Sequence, residues 1–63
     1  MNGKNQQFIN ILKLSADTAE QLRSIDLDRI IDEADNQGVR TDFISWLKKQ
    51  PTSERVHNLL ENY

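Results

Sequence analysis

The chain has 63 residues, with 8 lysines and arginines, 10 aspartates and glutamates, one histidine and no cysteine, for a net charge of −2. A chain of this length forms at most one domain and buries only about 60% of the surface that its unfolded form exposes. The absence of cysteine excludes a disulfide, and one histidine cannot supply the ligand cluster of a structural zinc site. The fold must therefore rest on apolar packing, within one chain or shared with a second copy as a homodimer.

The first helix is predicted from Lys4 to Leu14, because apolar residues recur there at the spacing of a helix face. They are Phe8, Ile11 and Leu12. Asp17, followed three places later by Glu20, has the form of a capping box that would start a second helix. The apolar face of that helix would comprise Ala19, Leu22 and Ile25. Because no glycine or proline lies between Lys4 and Ile25, the alternative is one long helix.

Two helices joined by a glycine turn are predicted in the middle of the chain. Asp26 can cap the first of them, and Gly38 stands where a residue with positive φ would end it. Its apolar face comprises Leu27, Ile30, Ile31 and Ala34. Thr41 can cap the next helix, with Asp42 at its positive end, and Pro51 ends it. The apolar residues of this helix are Phe43, Ile44, Trp46 and Leu47.

The last helix is predicted to start at Thr52 or Ser53, and its apolar residues follow at spacings of three, four and seven. They are Val56, Leu59, Leu60 and Tyr63. No strand pattern, internal repeat or linker is present. The sequence therefore predicts an all-α fold, a single domain over residues 1–63. It is a small bundle of four or five short helices with a helix-turn-helix-like hairpin, as a monomer or a helical homodimer.

Charge and hydropathy narrow the classes of function. No apolar run exceeds two residues, so the sequence supports neither a membrane span nor a secretory signal, and we expect a cytoplasmic protein. Nucleic-acid binders carry a basic footprint, which an acidic chain lacks. Residues 26–35 hold five acidic side chains and one basic one, a sum of −4. Helical apolar spacing in the same stretch indicates a solvated helix face rather than a calcium loop.

The sequence contains no pattern typical of an enzyme. His57 is alone, and no serine-glycine elbow accompanies it, so a nucleophilic triad has no signature here. General acid and base catalysis needs two carboxylates in a cleft, and so short a chain can hardly build a water-excluding pocket as well as a core. We expect a protein that is not an enzyme, with no catalytic residue, metal ligand or cofactor.

The aromatic residues near position 45 have two interpretations. If Ile44 and Leu47 face inward, part of the surface of Phe43 and Trp46 faces outward. A small bundle could wrap this helix on three sides, or the aromatic surface could bind a partner or a second copy, since aromatic anchors carry most interface energy. Trp46 lies about 100° around the helix from Leu47, so we expect Phe43 to be partly buried and Trp46 to lie at the rim. The predicted partner-binding residues are Phe43, Trp46, Leu47 and Lys48.

Residues 30–63 resemble the helix-turn-helix domains of the phage repressor and Cro class. The matching positions are Ala34, Gly38, Val39, Ile44 and Leu47. If the resemblance extends to function, DNA contacts would come from Arg40, Thr41, Ser45, Lys48, Lys49 and Arg55. Glu33 and Gln37 depart from the family, which places apolar residues there. Burying a carboxylate would cost several kcal/mol unless it were paired.

Residues 27–48 also resemble the helical hook of Sin-type antirepressors, which pairs with the multimerisation helices of a repressor. The matching positions are Ile30, Ile31, Glu33, Ala34, Gly38, Val39, Ile44 and Leu47. Glu33 fits this pattern. We therefore expect a small regulator, of the kind that phages and mobile elements encode, that acts on another protein such as a transcription regulator. DNA binding by a degenerate helix-turn-helix is the alternative.

Overall fold

The computed structural model describes residues 3–63 and shows an all-helical bundle without a strand in that range. Its elements are α1 (Gly3–Leu12), a 3₁₀ turn (Ala19–Gln21), α2 (Ser24–Asn36), α3 (Arg40–Lys48) and α4 (Glu54–Leu60). Helix α2 packs against both α1 and α3, and α3 packs against α4. None of the helices in residues 3–63 has the length and apolar character needed to cross a bilayer. The predicted class, a bundle of four or five short helices, is confirmed.

The predicted break after the first helix is confirmed, but the predicted second helix is wrong. Helix α1 ends at Leu12, two residues earlier than expected, because the N–H groups of Leu14 and Ser15 bond to carbonyls three residues back. Only the 3₁₀ turn follows. The side-chain oxygen of Gln21, not that of Glu20, accepts hydrogen bonds from the N–H groups of Asp17 and Thr18. The expected capping box of Asp17 with Glu20 is therefore absent.

The predicted apolar face of α2 is confirmed, since Leu27, Ile30, Ile31 and Ala34 are all buried. Its start is corrected, because Asp26 lies inside the first turn rather than at the cap. The Asp26 carboxylate accepts hydrogen bonds from the backbone N–H of Arg23 at 3.1 Å and from its Nε at 3.0 Å. A carboxylate in the first turn also interacts favourably with the helix dipole. Ile25 is 70% exposed, so it does not share the buried face of Ala19 and Leu22.

A three-residue turn, residues 37–39, joins α2 to α3 and produces the predicted helix-turn-helix-like hairpin. Gly38 has φ of +76°, as expected for a left-handed residue that ends a helix. The N–H of Val39 bonds to the carbonyl of Ala34 and completes the turn. Val39, not Thr41, is the N-terminal cap residue of α3, because the Val39 carbonyl already accepts a bond from the N–H of Phe43.

Helix α4 begins after Ser53, as the sequence predicted, and three hydrogen bonds fix its start against the 3₁₀ turn and the residue that follows it. The guanidinium of Arg55 donates to the backbone carbonyls of Leu22 at 2.9 Å and Glu20 at 2.7 Å. The Ser53 N–H donates to the Glu20 carboxylate at 2.6 Å. Val56 and Leu60 are buried against the other helices. The buried apolar side chains of all four helices thus form one cluster.

Candidate functional site

The structure separates the predicted partner-binding residues into core and surface. Phe43 and Leu47 are fully buried, so neither offers a contact surface, and the expectation that Phe43 is only partly buried is wrong. The reason is a long-range contact, since Phe8 of α1 covers Phe43 with the ring centroids 5.7 Å apart. Trp46 is half-buried and packs against the edge of the core, as expected of a residue at the rim. Lys48 is exposed.

Three contacts hold the indole of Trp46 in place, and a fourth holds its backbone. Its Nε1–H donates to the side-chain oxygen of Asn5 at 2.9 Å. The rings of Phe8 and Phe43 lie 5.6 Å and 5.9 Å from it, the second in a stacked arrangement. The side-chain amide of Gln50 donates to the Trp46 carbonyl at 3.0 Å. A side chain held in this way loses little conformational entropy when a partner binds.

Trp46 forms one wall of a cleft of about 490 Å³ between α1, the 3₁₀ turn and the end of α3. We call it the Trp46 cleft; its lining residues are Asn5, Ile9, Leu12, Asp17, Thr18, Ala19, Glu20, Trp46, Gln50 and Pro51. The volume lies in the range of clefts that bind ligands, about 300–1,000 Å³. Apart from Trp46, the sequence interpretation missed this set, because the lining residues come from segments up to 46 positions apart, Asn5 to Pro51.

The Trp46 cleft has a mainly apolar lining, to which the segment 17–20 adds acidic groups. Ile9, Leu12, Ala19 and Pro51 join the indole, while Asp17 and Glu20 contribute carboxylates. No lysine, arginine or histidine is among its lining residues. Hydrogen bonding from Ser53, assisted by the nearby charge of Arg55, holds the pKa of Glu20 below its usual range. Glu20 is therefore ionised at neutral pH, and the cleft presents negative charge.

The residues predicted for DNA contact lie mostly on the exposed side of α3. Arg40, Thr41, Ser45, Lys48 and Lys49 are all exposed. Four of them line a shallow pocket of about 220 Å³ with Ile44 and Tyr63, and none of the five lines the Trp46 cleft. Arg55 lies elsewhere, and its guanidinium already donates hydrogen bonds to two backbone carbonyls.

An acidic stripe on α2 is formed by Asp28, Asp32 and Asp35, which recur at helical spacing and are all exposed. The Tyr63 hydroxyl donates a hydrogen bond to Asp28, which raises the pKa of Tyr63 above its ordinary value. In a helix-turn-helix domain, the helix before the turn crosses the DNA backbone. The acidic stripe would then face phosphates with like charge.

The two residues that depart from the helix-turn-helix family are outside the core. Gln37 is exposed and donates to the half-buried Glu33 at 2.8 Å, and Gln7 of α1 donates to Gln37 at 2.7 Å. Hydration and these bonds satisfy Glu33 without a buried charge. Residues 3–63 contain no group of three or more side chains arranged to bind a metal ion. No protein-family model, curated protein or solved structure matches the chain.

Proposed function

We propose that this chain is a small regulatory protein that binds another protein through the Trp46 cleft. The observation that carries the proposal is the indole of Trp46, which is half-buried, anchored by Asn5 and exposed along a mainly apolar cleft. Tryptophan is among the residues most enriched at the energetic centres of interfaces. The regulator acts without catalysis, in the cytoplasm, as an antirepressor or inhibitor of the kind that phages and mobile elements encode.

The charge distribution supports a protein partner over nucleic acid. The net charge is −2, and the acidic stripe lies on the helix that precedes the turn. DNA affinity depends on the number of phosphates that lysine and arginine neutralise. DNA binding stays the second candidate because Arg40 and Lys48 are exposed on α3 and Lys49 is exposed directly after it.

Affinity capture from extracts of the native host tests the proposal. Tagged wild-type protein is compared with Ile9→Gln, which removes an apolar lining residue of the Trp46 cleft without adding charge. Ile25→Gln is the matched control, because Ile25 is the same residue type on α2 and is 70% exposed outside that cleft. Circular dichroism of each variant verifies that the helices are retained.

The wild type and Ile25→Gln should capture the same partner, and Ile9→Gln should lose it. Removing an interface anchor costs about 2 kcal/mol of binding free energy, which weakens the affinity roughly 30-fold. Quantitative mass spectrometry detects a difference of this size. Equal capture by all three proteins, or no protein enriched over the tag alone, would contradict binding through the Trp46 cleft.

A further inference from the structure

The Trp46 cleft has a charge pattern that specifies its partner more closely. We propose that it accepts a segment of another protein in which one large aromatic or aliphatic side chain is flanked by lysine or arginine. This inference rests on the proposed function, since it takes the Trp46 cleft as the binding site. It adds the types of side chain that the bound segment of the partner carries.

The apolar part of the occupant follows from the cleft wall. Ile9, Leu12, Ala19, Trp46 and Pro51 contribute apolar surface from three separate segments of the chain. The indole N–H is already bonded to Asn5, and the Trp46 carbonyl already accepts from Gln50. An incoming group therefore meets the apolar part of the indole rather than its N–H. An aromatic or aliphatic side chain fits such a surface without leaving a buried donor unpaired.

The basic part of the occupant follows from the two acidic residues of the lining. Asp17 and Glu20 line the cleft, and no cationic residue of the chain lines it. The Asp17 side chain is exposed, and within residues 3–63 its carboxylate takes part in no ion pair. A lysine or arginine beside the apolar anchor would pair with this carboxylate. Complementary charges across an interface also raise the association rate and reject acidic partners.

One flank of the Trp46 cleft is held in place by hydrogen bonds to the start of α4. Glu20 accepts the Ser53 N–H at 2.6 Å, and its backbone carbonyl accepts from Arg55 at 2.7 Å. The segment that carries both carboxylates is thus held against the start of α4. Because Glu20 is engaged in the fold, Asp17 is the carboxylate that can be changed without disturbing the structure.

A displayed library of short random peptides tests the inference with the full-length protein. Synthetic copies of the enriched peptides, chosen without tryptophan, are titrated while the fluorescence of Trp46 is recorded. Trp46 is the one tryptophan of the chain, so its emission reports the cleft directly. Asp17→Lys reverses charge inside the cleft, and Asp35→Lys makes the same change of net charge on the acidic stripe.

We expect enriched peptides to carry an aromatic or aliphatic residue with a neighbouring lysine or arginine, and to shift the Trp46 emission. Asp17→Lys should weaken their binding about tenfold or more, whereas Asp35→Lys should change it less than about threefold. Both variants should keep the wild-type helical signal.

Four results would overturn the inference. The enriched peptides could be neutral or acidic, and could still shift the Trp46 emission and still bind Ile9→Gln more weakly than the wild type. That result would refute a basic partner but would leave the proposed function standing. No enriched peptide, or equal effects of the two charge reversals, would refute it as well. Self-association of the wild type that Ile9→Gln abolishes in sedimentation would show that a second copy occupies the cleft. Capture from host extract reports on the proposed function independently.

Discussion

The Nε1–H of Trp46 donates to the side-chain oxygen of Asn5 across 2.9 Å, and this bond joins α3 to the first turns of α1. The two residues are 41 positions apart in the chain. The bond holds the indole at the wall of the Trp46 cleft. Helix α1 therefore contributes to the proposed binding surface as well as to the core.

Asn5→Ala should release the indole of Trp46 without unfolding the protein. The loss of one partly exposed hydrogen bond should cost about 1 kcal/mol, measured by chemical denaturation, and should change the Trp46 emission. Asn10→Ala is the control, because it makes the same substitution in α1 at an exposed residue whose side chain accepts a hydrogen bond from Gln6 and does not contact Trp46 through a hydrogen bond within residues 3–63. Equal stability and emission of the two variants would show that the Asn5 bond is not formed in solution.

Phe43→Ala and Trp46→Ala should differ in severity. Phe43 is fully buried, so its truncation should cost about 3–5 kcal/mol and should abolish the cooperative thermal transition of so small a domain. Trp46 is half-buried, so its truncation should leave a folded protein with reduced stability. Circular dichroism melts measure both effects. A collapsed helical signal for Trp46→Ala would assign Trp46 to the core and refute a contact role.

Gly38→Val should destabilise the turn between α2 and α3 through the backbone alone. A Cβ at Gly38 would have no heavy atom within 4 Å, so no clash is involved, but φ of +76° is unfavourable for a residue with a side chain. The cost should be about 1–2 kcal/mol, and Gly38→Asn should cost less, because asparagine tolerates this region better. Identical melting temperatures for the wild type and the valine variant would contradict a left-handed residue at this position.

Asp26 should contribute to the loss of folding stability at acid pH. Hydrogen bonding from Arg23, with its positive charge, lowers the pKa of Asp26 below its ordinary value of about 3.9. A carboxylate with a lowered pKa in the folded state stabilises the protein above about pH 4, and this contribution is lost as the pH falls through the folded pKa. The melting temperature of Asp26→Asn should therefore fall less between pH 7 and pH 2 than that of the wild type. Parallel curves for the two proteins would refute this contribution, and Asp35→Asn is the exposed control.

Random-sequence duplex DNA should show no measurable binding at micromolar protein and physiological salt. Arg40 and Lys48 of α3 and the following Lys49 are exposed, but the acidic stripe on α2 opposes the approach of phosphates. Gel-shift measurements over a range of salt concentrations test this. A shift that weakens steeply with salt and is lost in Lys48→Ala would favour the DNA-binding alternative.

Much of the fold could be predicted because its pattern is local. The apolar periodicity of residues 27–34 located the buried face of α2, and Gly38 located the turn that follows it. The helix starts were less predictable. Asp17, Asp26 and Thr41 are all good capping residues, yet none of them is the residue at which the predicted helix starts. Gln21 accepts the hydrogen bonds at the 3₁₀ turn, α2 starts directly after Arg23, and α3 begins one residue before Thr41. Cap geometry depends on backbone angles that residue type alone does not determine.

The candidate site was less predictable than the fold because it is built from distant segments. Trp46 at the rim follows from helical geometry, but its partner Asn5 carries no sequence signal. From its position on α3 alone, Phe43 is expected at the rim of the core. Phe8 of α1 packs against it, and Phe43 is therefore fully buried. The cleft itself arises where α1, the 3₁₀ turn and the end of α3 meet.

The most direct measurement is a ¹H–¹⁵N NMR titration of the labelled protein with the partner recovered by capture. Trp46 provides the one indole N–H resonance of the chain, and the amides of Ile9, Ala19 and Gln50 surround the same cleft. Binding through the Trp46 cleft predicts that these four resonances shift most. Shifts confined to Thr41, Ser45 and Lys48, with the indole resonance unmoved, would contradict it and would place the interface on the exposed side of α3.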